Sequence, residues 1–75
     1  MQTFEEYVEK LYRQVVSEYL ILSESDQISD SIHQEMVQIY RIWQKKSTKN
    51  DYIWIHSKLE WLDKRFRELF SGDRD

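Results

Sequence analysis

YIWIHSKLEWLDKRFREL, residues 52–69, is the stretch from which the fold can be read. Its apolar residues Tyr52, Ile55, Leu59, Leu62, Phe66 and Leu69 recur in alternating steps of three and four, the spacing of one helix face. Nothing in the stretch breaks a helix. The chain has no Pro and a single Gly, Gly72, placed where a left-handed helix cap belongs. The pattern predicts a helix over 51–70, with Asn50 or Asp51 as its N-terminal cap. Ser71-Gly72 closes it, and Asp73, Arg74 and Asp75 are expected to fray.

The same spacing runs through the rest of the chain. Phe4, Tyr7, Val8, Leu11, Tyr12, Val15, Tyr19 and Leu22 define one face of a helix over 4–23. Thr3 and Glu6 have the spacing of a capping box at its start. Glu6–Lys10 and Glu9–Arg13 are favourable pairs one turn apart on the opposite face. Ile28, Ile32, Met36, Ile39 and Trp43 mark a helix over 29–46. Its start falls anywhere from Asp26 to Ser31, because the apolar spacing reaches back to Ile28 while Ser31-Ile32-His33-Gln34 is a second capping-box candidate. Met36 and Trp43 fall mid-stripe and are expected in the core. Between the first two helices lies SESDQISD, residues 23–30, the only loop-like stretch. Each apolar arc covers close to half of its helix, so each helix should touch two neighbours. The expectation is an all-α, three-helix bundle of up-down-up topology, one helical domain over 1–75. The alternative is a helical hairpin completed by homodimerisation.

At 75 residues, a chain buries only about 60% of the surface it exposes when unfolded. Small domains make up that margin with disulfides, metals or partners. The chain has no Cys, which excludes disulfides, thiolate zinc sites and thiol catalysis. His33 and His56 stand 23 residues apart, outside any metal-ligand spacing. No metal and no cofactor is expected. Dense aromatic packing and a homodimer remain, and three Trp, five Tyr and three Phe supply the rings. The longest apolar run, Tyr19 to Leu22, is four residues, far short of the roughly 18 of a membrane span. MQTFEEYVEK at the start has no signal-peptide pattern. A cytoplasmic protein with no membrane contact is the expectation.

Catalysis is not expected either. Ser57 follows His56, but adjacent helical residues point about 100° apart and cannot form a nucleophile–base pair. Glu60, one turn on, reads as an exposed partner of His56. His33, in the first turn of its helix, is expected to be solvated. No Gly-rich phosphate loop exists with one glycine.

Two surfaces stand out. Residues 1–31 carry a balance of −5, residues 32–50 of +3, and residues 51–75 of −1, giving the net −3. Arg41, Lys45, Lys46 and Lys49 therefore form a local basic patch, fit for a phosphate or an acidic partner. A sequence pI near 5.3 argues against nucleic acid, whose binding domains are usually basic. A helix-turn-helix reading of residues 32–70 also fails, because the link near KKSTKN looks too long and lacks Gly. The second surface is an edge of the third helix. Trp54, Lys58, Trp61 and Arg65 form a stripe beside the core stripe, its tryptophans about 110–130° from the core centre. Trp and Arg are the residues most enriched at binding hot spots. The expected function is a small protein-binding regulator: an inhibitor, an antitoxin-like partner or an adaptor. The alternatives are a nucleic-acid-associated regulator using residues 41–49, or a structural subunit of a larger assembly.

Overall fold

The computed structural model describes residues 1–71, so the expected Gly72 cap and the fraying of Asp73, Arg74 and Asp75 lie outside the described residues. Three helices follow in order: α1 (Phe4–Glu24), α2 (Asp30–Lys45) and α3 (Lys49–Ser71). Each begins at a cap that the sequence supplies. Thr3 Oγ1 accepts from the Glu6 amide at 3.1 Å, and Glu6 Oε1 accepts from the Thr3 amide at 3.1 Å. This is the expected capping box, satisfying two amides that no helix bond reaches.

The second helix starts differently from the second capping-box reading. Ser29, not Ser31, is its cap, with Ser29 Oγ accepting from the Ile32 amide at 3.4 Å. The reason lies upstream. Asp26 takes a left-handed conformation, φ 61°. Gln27 N–H then donates to Leu22 O at 3.0 Å, and Asp26 N–H to Ser23 O at 3.1 Å. That pair of bonds is a Schellman ending. It turns the chain tightly enough that Ile28 drops into the core and Ser29 is free to cap. The third helix begins two residues before the expected position. Thr48 and Asp51 form a reciprocal box: Asp51 Oδ2 accepts from the Thr48 amide at 3.2 Å, and Thr48 Oγ1 from the Asp51 amide at 3.3 Å. Asp51 thus caps from inside the helix. The α2–α3 link is only residues 46–48, so length does not count against a helix-turn-helix.

Residue pairings give the topology. Phe4 meets His56 and Tyr19 meets Phe66, so α1 and α3 run parallel. Glu35 meets Lys58 and Trp43 meets Tyr52, so α2 runs against α3. The result is the expected up-down-up three-helix bundle within one chain. α3 is its keystone: Ile55, Leu59, Leu62 and Phe66 are fully buried between the other two helices. Val8, Leu11, Val15 and Leu22 of α1 meet them, as do Ile32, Met36 and Ile39 of α2. Tyr7 is the member of the α1 stripe that the core leaves exposed; Trp43, Tyr52 and Leu69 are half-buried around the rim.

The bundle departs from three equal contacts. No pair of α1 and α2 Cα atoms comes within 8 Å. Rings hold these two helices apart and together. Tyr12 stacks on Trp43 at 4.1 Å between centroids with 7° between planes. Two turns along α1, the Tyr19 hydroxyl hydrogen-bonds His33 Nδ1. His33 is therefore half-buried and engaged, not solvated, because Tyr19 reaches across the gap to it. Among the described residues, no helix is long and apolar enough to cross a membrane.

Candidate functional site

Where α1 and α2 stand apart, a groove opens. Tyr12, Val16, Tyr19 and Leu20 line one side, and Met36, Val37 and Tyr40 the other. Its volume is about 300 Å³. The Tyr12–Trp43 stack closes one end and the Tyr19–His33 bridge the other. Tyr12 to Tyr19 is seven residues, about 10 Å of helix, so the groove is two turns long. Met36 is buried at its floor. Leu20, Val37 and Tyr40 stand on its rim, 56%, 48% and 55% exposed. Burial first, and then the Tyr40 phenol beside it, raise the Tyr12 hydroxyl above its ordinary value, so it stays neutral at physiological pH. The groove is thus an uncharged, mostly hydrocarbon notch with tyrosine hydroxyls at its edge.

The expected tryptophan stripe is divided. Trp54 packs against the core and, with Gln38, Arg41, Ile42 and Lys45, lines a shallow hollow on the α2 side. Lys58 leans across it, its Nζ 5.5 Å from the Trp54 ring and 2.9 Å from Glu35 Oε1 of α2. Both side chains are spent on the α2–α3 seam. Trp61 and Arg65 are exposed and lie together with Lys64 and Glu68, all of α3. The stripe continues along α3, but its first half is covered and its second is bare.

The basic patch is divided as well. Lys46 turns inward as a C-terminal lock on α2. Its Nζ donates to Trp43 O at 3.1 Å and sits 3.8 Å over the Trp43 ring. Arg41 and Lys45 remain exposed beside Trp54, and Lys49 opens α3 beyond the turn. The imidazole of His56 is not on an open surface: it packs between the Phe4 and Tyr7 rings, 5.4 and 5.6 Å away, with Nε2 3.3 Å from Glu60 Oε2. The first turns of α1 fold over it, which the spacing within α3 could not reveal.

The groove was missed at the sequence level, and one signal for it was present. Tyr19, Leu20, Ile21 and Leu22 are four apolar residues in a row. At about 100° each they sweep most of a helix circumference, so two of them must face outward. Leu20 and Ile21 do so.

The chain matches no protein-family model, no curated protein and no solved structure.

Proposed function

We propose that this chain is a small protein-binding regulator whose docking face is the groove between α1 and α2. The observation that carries the reading is the gathering of Leu20, Val37 and Tyr40, all about half exposed, around one apolar notch. Contiguous apolar exposure rimmed by polar groups marks interaction surfaces on small proteins. A two-turn groove between helices suits an amphipathic helix of the partner, presenting apolar anchors at i, i+3, i+4 and i+7. Tyr12, Tyr19 and Tyr40 add hydroxyls to the rim, the mixture of apolar body and polar tip that interfaces favour. The tryptophan stripe supports a secondary contact at most, since Trp54 and Lys58 already serve the bundle. The inward turn of Lys46 weighs against the nucleic-acid alternative, because it takes the centre out of the patch.

The test compares two surface variants with the parent. Leu20→Gln with Val37→Lys replaces exposed residues, so the fold should survive by circular dichroism. Partners co-purified from the native cell, and self-association by sedimentation equilibrium, should both fall at least about tenfold if the groove is the hot spot. Trp61→Gln should leave them within about twofold. Association that survives the groove variant but fails in Trp61→Gln moves the docking face to α3. Association that survives both refutes the reading.

A further inference from the structure

On the side of α1 away from the groove, two carboxyl groups meet across the seam with α3. Glu18 comes from α1 and Asp63 from α3, within hydrogen-bonding reach of each other. Both occupy stripe positions: Glu18 stands between Val15 and Leu22, Asp63 between Leu59 and Phe66. The partners of Asp63 account for both of its oxygens. Gln14 Nε2 of α1 donates to Oδ1 at 3.1 Å, and Arg67 Nε of α3 donates to Oδ2 at 3.1 Å. Glu18 is worse served. Among the described residues, its Oε1 is sealed from solvent and has no donor. A sealed carboxylate oxygen facing a second carboxylate lacks any hydrogen bond while both are ionised. A proton on that oxygen converts it from an orphan acceptor into a donor toward Asp63.

We propose that Glu18 and Asp63 share one proton and so form a pH-sensitive clasp that holds α1 on α3. The groups that face Glu18 are Asp63 and Arg67 from α3 and Gln14 from its own helix; no α2 side chain takes part in these contacts among the described residues. Arg67 is mostly exposed and spent on Asp63, so it does not supply the missing donor. Burial, and then the Asp63 carboxyl, push Glu18 up to about 7, while Gln14 and Arg67 pull it down. The sign follows. The folded state holds a proton that the unfolded chain releases near the ordinary glutamate value, so the clasp is complete below that value. It is lost as pH rises toward and past 7. α1 is also one wall of the groove, so the clasp sets how firmly that wall stands. The clasp does not depend on the docking reading.

The direct test is a carbon-detected NMR titration of the Glu18 side-chain carboxyl in the unaltered protein. A midpoint well above the ordinary carboxylate range is expected, and a midpoint within that range overturns the proposal. The second test is Glu18→Gln, whose amide is a donor at every pH. The readout is the difference between parent and variant, which cancels every titration the two proteins share. After allowance for solvent screening, the parent's folding constant relative to the variant should fall by about tenfold between pH 5 and pH 8. Parallel curves for the two proteins also overturn it. If the variant fails to fold, the NMR midpoint alone decides.

Discussion

Replacing Phe66 by Ala should nearly unfold this protein, whereas replacing the larger Trp61, five residues earlier on the same helix, should not. Phe66 is fully buried and its ring meets Tyr19 of α1 at 6.5 Å between centroids. Hiding a ring of roughly 150 Å² at about 25 cal/mol per Å² is worth about 4 kcal/mol. Cavity-forming Phe→Ala changes cost about 3–5 kcal/mol. At roughly 0.05–0.15 kcal/mol per residue, a chain of this length has about 4–11 kcal/mol in total. Trp61 is 51% exposed and its near neighbours Lys64, Arg65 and Glu68 belong to its own helix. Area alone sets an upper limit of about 3 kcal/mol for its hidden half, but the unfolded chain also covers part of that area. Water fills the space the indole leaves, so no cavity term is added. About 1 kcal/mol is the expected cost. Urea unfolding followed by far-UV circular dichroism separates the two. With a slope of about 1 kcal/mol per molar, the midpoint should drop by about 3 M or more for Phe66→Ala and by about 1 M for Trp61→Ala. A Trp61→Ala cost equal to or above that of Phe66→Ala would show that α3 is rotated from the orientation described.

Three further outcomes follow from local geometry. Asp26→Gly should raise stability by about 0.5–1 kcal/mol in thermal melts, because Asp26 sits at φ 61°, where a β-carbon is unfavourable; a lower melting temperature would contradict the Schellman ending. Tyr19→Phe removes the partner of half-buried His33 Nδ1 and should cost about 1 kcal/mol, read by chemical denaturation, with no change expected if the bridge is absent in solution. The Ser47 and Thr48 amides hold the Asp51 carboxyl below its ordinary value, so its contribution is present above that value and lost as pH falls through the lowered one; Asp51→Ala should therefore flatten the acid limb of the stability–pH curve.

What was legible in the sequence was whatever depends on period and on local hydrogen bonds. The three-and-four spacing in 52–69 located the α3 core, because a residue's position on its own helix is fixed by its number. Thr3 and Glu6 located the α1 start for the same reason. The Thr48–Asp51 box has an equally local signature, a Thr three residues before an acid, and it moves the α3 start ahead of the expected Asn50 or Asp51 cap. The split of the Trp54–Arg65 stripe was not legible, because whether α2 covers a given turn of α3 depends on where α2 begins and how far it stands off.

The same non-locality governs the two most informative features of the structure, one beside the apolar stripes and one within them. Leu20 and Val37 flank core positions and would be core in a bundle whose first two helices touched. Stacked rings at Tyr12 and Trp43 keep those helices apart, and the apolar edge that would have closed the bundle becomes an open groove. Glu18 and Asp63 carry the opposite signal: charge where the period calls for hydrocarbon. A carboxylate in such a place costs stability unless something satisfies it, and here Asp63 is satisfied by Gln14 and Arg67 while Glu18 is left short by one donor. Surplus apolar surface on one flank of α1 and a surplus acceptor on the other are both unmet needs. Under the proposals made above, a partner's side chains would meet the first and a proton the second, and α1 is the element through which each would be felt by the other.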